Sequence, residues 1–301
     1  MSVFINPFVD FGFKRLFGQE DSKSVLIGFL NALFEGEFVV KDLVYRDKEQ
    51  LPVRKAWRGV VYDIFCTTTD GNHFILEMQN KSQDHFEDRV LYYAARGIVR
   101  QGVKGDWHYD YHAVYGIYFL NFTQEVLQGA SRSDFGIRRL GHDCSDKLQV
   151  LTDKLRMVFL QMPVFKKTEA QCETKLDKWM YILKNMETLT EIPWRDEEEY
   201  FDTIAELSSI EALSEEERDR YEDALREYRD ARAVWEHERN EGKKEGLKKG
   251  LKKGLKKGLK KGKVTIAKSL IADQCSDEFI AKHTGLSLEV IQKLRCGDKD
   301  I

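Results

Sequence analysis

The sequence predicts an α/β core ordered helix, strand, strand, strand, helix, strand, followed by a helical C-terminal region. Three observations carry this. Apolar residues recur at helical spacing over the first 35 residues, strand-like runs rich in β-branched and aromatic residues follow, and beyond residue 190 the chain is dense in charge at helical spacing.

Asp10 precedes "FGFKRLFG" and is placed to cap a helix, and Ser22 or Ser24 can start a second over "SVLIGFLNALF". "FVVKDLVYRD" (38–47), "GVVYDIFCTTT" (59–69) and "NHFILEMQN" (72–80) read as three strands, the last two joined by the hairpin signal Asp70-Gly71. A helix is expected over "DHFEDRVLYYAARGIVRQG" (84–102), with Gly102 able to stop it, and a strand over "HAVYGIYFLNF" (112–122). "LRMVFLQMPVF" (155–165) reads as a further strand and "ETKLDKWMYILKNM" (173–186) as a helix, closing a first domain over residues 1–190.

Residues 191–240 read as an acidic, charged helical segment of exposed helices laced with i,i+4 pairs. A linker over 241–263 follows, in which glycine recurs every four residues from Gly242 to Gly262 and leucine from Leu247 to Leu259. Each glycine costs roughly 1 kcal/mol of helix propensity and adjacent lysines repel, so the repeat alone is expected to be frayed. Residues 264–301 read as a small helix-turn-helix-like module, with Ser276 and Ser287 as N-caps and Thr284-Gly285-Leu286 as the turn.

The net charge of -3 hides an asymmetry, because residues 241–263 hold eleven lysines against two glutamates. The remainder therefore carries -12. Five cysteines, Cys66, Cys144, Cys172, Cys275 and Cys296, lie without C-x-x-C or ligand spacing, which argues against a zinc site or disulfide framework and for a reducing, cytoplasmic setting. No apolar run approaches the ~20 residues that span a bilayer, so no membrane association is expected.

The chemistry turns on Asp63, Glu77 and Gln79. A two-residue loop at Asp70-Gly71 pairs position 69 with 72 and turns Asp63 away from Glu77. A three-residue loop, with Gly71 left-handed in a bulge, pairs 68 with 72 and sets Asp63 opposite Glu77. Opposed carboxylates repel unless a cation lies between them, and they suit magnesium, which takes one or two protein carboxylates and completes its shell with water and phosphate.

"NPFVDFGFKRLFG" (6–18), "YDIFC" (62–66), "ILEMQN" (75–80) and "FEDRVLYYAARGIVRQ" (86–101), with "IAKHTGLS" (280–287) as a weaker match, resemble the Rpn-type recombination-promoting nucleases, or PD-(D/E)XK nuclease family transposases. The resemblance implies a restriction-endonuclease-like PD-(D/E)XK core and a metal-dependent DNA endonuclease linked to recombination or transposition. It further implies Asp63 and Glu77 as ligands of Mg2+ or Mn2+, with Gln79 in the usual lysine position. Tyr62-Asp63 stands where the wider superfamily has Pro-Asp, while E-x-Q resembles the rule of this subfamily. Asp10, Lys14, Lys81 and Arg89 are accessory candidates, since a phosphodiester transition state needs cationic help. Lys248, Lys249, Lys252 and Lys253 of the repeat, and Gln292, Lys293 and Arg295 of the terminal module, are candidate DNA contacts. The C-terminal helices are also candidates for homo-oligomerisation. The competing expectation is a non-enzymatic DNA-binding or regulatory protein on the same fold.

Overall fold

A computed structural model describes residues 2–50, 60–106, 108–139 and 149–296. Two units divide the chain, Met1–Asp230 and Ala231–Ile301. No helix among the described residues is long and apolar enough to cross a membrane.

In the first unit, α1 (Asp10–Phe17) and α2 (Lys23–Leu33) precede β1 (Leu43–Tyr45), β2 (Glu49–Gln50), β3 (Val60–Val61), β4 (Ile64–Thr68) and β5 (His73–Gln79). Helix α3 (Phe86–Val99) then leads to β6 (Val114–Leu120), β7 (Arg132–Arg139), β8 (Gln149–Gln161), α4 (Lys175–Asn185) and α5 (Glu199–Ser208). Helix α6 (Glu215–Ala272) starts in this unit and ends in the second, which also holds α7 (Asp277–Thr284) and α8 (Leu288–Arg295).

Six strands form one sheet in the order β1-β4-β5-β6-β8-β7. Strands β5, β6 and β8 run parallel, and the antiparallel neighbours β1 and β4 lie on one side of them and β7 on the other. Because β5 and β6 are parallel, their connection must cross a face of the sheet, and α3 does so. One face is covered by α1, α2 and α4, with Phe13, Phe17, Phe29, Phe119 and Trp179 in ring contact. The other face packs Tyr62, Ile75 and Val114 against Ala94 of α3. Both faces of the parallel strands are thus covered, which is why every residue of β6 is buried.

The helix and strand order expected from the sequence is present, with four differences. The run 59–69 is not one strand but two, because the chain bends at Tyr62-Asp63 between β3 and β4. Strands β2 and β3 pair with each other in a separate ladder, Glu49 opposite Val61. Strand β7 is an addition to the expected order: "RSDFGIRR" carries four charges in eight residues, and its pairing with β8 shifts register at Gly136 and Ile137. The segment after residue 190 is not simply exposed, since Phe201, Ile204, Ala205 and Tyr221 are buried and the Tyr221 hydroxyl accepts from the Asn6 N–H at 2.9 Å.

Asp10 is not a cap. Val9 occupies the N-cap, and Asp10 in the first turn accepts from Lys14 at 2.7 Å. The turn into α1 is made instead by Asn6, whose Oδ1 accepts from the Phe8 N–H at 2.8 Å. A Cβ at Gly12 would stand 2.2 Å from the Asn6 carbonyl oxygen, so this start of α1 admits only glycine there. Ser22 occupies the N-cap of α2 but its hydroxyl bonds the Gln19 carbonyl rather than the helix.

In the second unit the repeat is helical, as part of α6, although alone it is expected to fray. Adding residues to an existing helix avoids the cost of nucleation, and the repeat has helical sequence on both sides. Leu247, Leu251, Leu255 and Leu259 are exposed along it. The end of α6 packs Ala267 with Ile280 of α7 and Ile291 and Leu294 of α8. Ser276 caps α7 by accepting from the Phe279 N–H, while Gly285, at φ +66°, makes the turn.

Candidate active site

The β4-β5 hairpin takes the three-residue loop. The Thr68 N–H donates to the Asn72 carbonyl and the Gly71 N–H to that of Thr68, both at 2.9 Å, with Gly71 at φ +84°. Thr67 therefore opposes His73, and the ladder continues to Ile64 opposite Leu76. One step further the same register sets Asp63 against Glu77.

At that step side chains replace the backbone ladder. The Asp63 N–H donates to Glu77 Oε1 at 3.3 Å, and the Met78 N–H donates to Asp63 Oδ2 at 2.8 Å. Each carboxylate is thus fixed by the opposite strand, with one oxygen engaged and a second to spend on a ligand. The bend at Tyr62-Asp63 frees Asp63 from the ladder and so permits this exchange.

Glu77 is only 5% exposed, on the sheet face covered by α3. Burial first, and the neighbouring Asp63 second, push its carboxyl up to about 8, opposed by the Asp63 N–H and Arg89. Asp63 is also raised, mainly by burial, with the Met78 N–H and the charges of Lys14 and Lys48 pulling it down and Asp10 pushing it up. Two crowded, poorly hydrated carboxylates are the arrangement that a hard divalent cation relieves. Asp63 and Glu77 are the residues that could hold Mg2+ or Mn2+. Among the described residues no group of three or more His, Cys, Asp or Glu forms a metal cage, so such an ion would depend on water or substrate oxygens for the rest of its shell.

Gln79 lies on the same strand face as Glu77, and its Oε1 accepts from Arg89 Nη2 at 2.8 Å. Arg89 also donates to Gln83 and lies over the rings of Phe86 and Tyr93, 5.7 and 6.0 Å from their centroids. With its oxygen occupied, Gln79 is oriented to offer its amide N–H groups.

The model of the family described as PD-(D/E)XK nuclease family transposase matches residues 7–238. The chain belongs to that family. The resemblance read from the sequence is therefore borne out, together with the PD-(D/E)XK fold. Membership of the PD-(D/E)XK nuclease family transposases brings a nuclease, transposition-related function, DNA as the substrate of such nucleases and the divalent metals they generally use. No curated protein and no solved structure matches the chain.

Of the accessory candidates, Asp10 and Lys14 form an ion pair at 2.7 Å and act electrostatically on Asp63, while Lys81 is exposed just past the end of β5. Lys48 escapes sequence reading, although it acts on Asp63 alongside Lys14. Its place depends on the β2-β3 pairing, for which no local sequence signal exists. In the second unit Lys248, Lys252 and Lys253 are exposed, and Lys249 pairs with Glu245 at 3.0 Å. Gln292 and Lys293 are exposed on α8. Arg295 pairs with Asp277 and donates to the Cys275 carbonyl, both at 2.8 Å, which ties it to the packing of the module.

Proposed function

We propose that this chain is a Mg2+- or Mn2+-dependent DNA endonuclease acting in recombination or transposition, with Asp63 and Glu77 as metal ligands and Gln79 as a catalytic amide. The observation that carries the proposal is the direct opposition of Asp63 and Glu77, each fixed by a backbone N–H of the other strand.

Glu77 gives up its proton as the site is loaded, because a carboxyl raised to about 8 is largely protonated at neutral pH. The bound cation would supply a water acidic enough to attack a phosphodiester and would draw charge from the phosphate oxygens. Asp63, held by the Met78 N–H, keeps its second oxygen in register with Glu77. Gln79, held through its carbonyl by Arg89, donates an amide hydrogen to the attacking water or to a phosphate oxygen. The exposed lysines of the repeat, with Lys293, add non-specific attraction to DNA. A cytoplasmic setting and assembly through the C-terminal helices belong to the same proposal. The four described cysteines, all free thiols, support the former.

One observation favours a second reading, a non-catalytic DNA-binding or regulatory protein. Gln79 carries no charge where a lysine usually stands. Supercoiled plasmid separates the two: the full-length chain is expected to nick it with Mg2+ and not with EDTA, and Asp63→Ala to leave it intact. Equal cutting by both proteins refutes the site. Salt-sensitive DNA binding without cutting or metal uptake supports the second reading.

A further inference from the structure

Cleavage at this site calls for a positive charge that Gln79 does not carry. Lys81 is exposed beyond the strand end, and Arg89, whose charge reaches Glu77, has its guanidinium fixed in place by hydrogen bonds to Gln79 and Gln83. Lys14 is held by Asp10 at 2.7 Å.

Lys48 is placed differently. It precedes β2, and the Tyr62 N–H donates to its carbonyl at 3.1 Å, which continues the Glu49-Val61 ladder by one step. Lys48 therefore lies across from Tyr62, the residue before Asp63. It is half-buried, and the charges that act on it are those of Lys14, Asp10 and Asp63. The relation is mutual, since Lys14, Asp10 and Lys48 are the charges acting on Asp63. Among the described residues Lys48 forms no ion pair, whereas Lys14 does. The β2-β3 ladder thus brings to Asp63 a cation that forms no ion pair among the described residues, on a backbone segment tied to the bend that frees Asp63.

We propose that Lys48 is a catalytic residue of this nuclease, its ammonium contacting the scissile phosphate and taking the part a lysine at position 79 would play. The inference rests on the reading of Asp63 and Glu77 as the metal carboxylates. A lysine suits the role because its compact charge sits on a long stem that can reach a non-bridging oxygen without a fixed angle. Contact with a phosphate whose charge grows in the transition state lowers the barrier more than it tightens ground-state binding.

The test uses the full-length chain, supercoiled plasmid and Mg2+, with Mn2+ affinity measured separately by calorimetry. Lys48→Met is expected to lower kcat on the order of 100-fold with KM changed less than about threefold, the size typical of losing one transition-state contact. Lys48→Arg is expected to restore at least a tenth of the activity, which a merely structural role for the side chain would not require. Mn2+ affinity is expected to hold or to tighten in Lys48→Met, because a cation near the carboxylates is removed. Wild-type kcat in Lys48→Met overturns the proposal, as does loss of Mn2+ binding together with activity, which would make Lys48 a structural support. The two readings fail separately. If Asp63→Ala abolishes cleavage while Lys48→Met cleaves normally, only the lysine is wrong; if the wild type neither binds Mn2+ nor cleaves, the site itself is wrong.

Discussion

Glu77→Gln is expected to stabilise the metal-free protein, and to do so more as pH rises. The folded carboxyl titrates at about 8 against 4.5 for the ordinary group, so between these values the folded state holds a proton that the unfolded state has released. The stability contributed by keeping Glu77 neutral is fully present below 4.5 and is lost as pH climbs through 8. Every pH unit over which only the folded state keeps the proton costs about 1.36 kcal/mol, so the penalty grows by about 4 kcal/mol between about pH 5 and about pH 8.5. A glutamine has no proton to lose and escapes that penalty. Urea unfolding of wild type and Glu77→Gln in EDTA at both pH values measures the difference directly. The variant should gain about 4 kcal/mol on the wild type over the interval, and saturating Mn2+ should cancel much of the gap by stabilising the wild type alone. Parallel stability at both pH values would refute the buried, proton-holding Glu77 on which the metal argument depends.

Three further outcomes follow from the geometry. Gly71→Ala, at φ +84°, should cost about 1–2 kcal/mol in thermal unfolding and weaken Mn2+ binding, since the left-handed residue sets the register of Asp63 against Glu77; an unchanged melting temperature would contradict the bulge. Arg89→Met frees the Gln79 carbonyl and should lower kcat roughly tenfold at unchanged Mn2+ affinity, the size of a lost positioning bond; an equal loss of metal binding would show that Arg89 instead supports the carboxylates. Changing Lys248, Lys249, Lys252 and Lys253 together to glutamine should flatten the salt dependence of DNA binding by about 2–4 in log K against log [salt], in proportion to the phosphates released; an identical slope would make the repeat a solvated helix.

How much of the fold and site could be read from the chain depends on how local each cause is. Helices α1 to α4 and strands β4, β5, β6 and β8 were legible because their apolar periodicity reflects the layer each one faces. The register at Asp63 was legible as one of two alternatives, because a glycine after Asp70 suits a left-handed bulge and the arithmetic of pairing does the rest. Strand β7 was not, since its ladder with β8 is irregular and its residues are half charged. The split of 59–69 at Tyr62-Asp63 was hidden for another reason. Asp63 alone interrupts the apolar half of the run, as an acid on a polar strand face would, and the break itself comes from the exchange of backbone ladder bonds for carboxylate bonds. Arg89 was visible only as a candidate cation; that it holds Gln79 depends on where α3 lies over the sheet. The burial of Tyr221 depends on Asn6, 215 residues away, a contact no sequence window contains.

Calorimetric titration of Mn2+ into the full-length chain at about pH 8, alongside Asp63→Ala and Glu77→Ala, tests the central claim most directly. The wild type should take up the metal with release of a fraction of a proton that rises toward one as the pH is lowered to about 7, because Glu77 titrates at about 8. Both variants should lose the binding. Undiminished uptake by either variant would contradict a metal site built from these two opposed carboxylates.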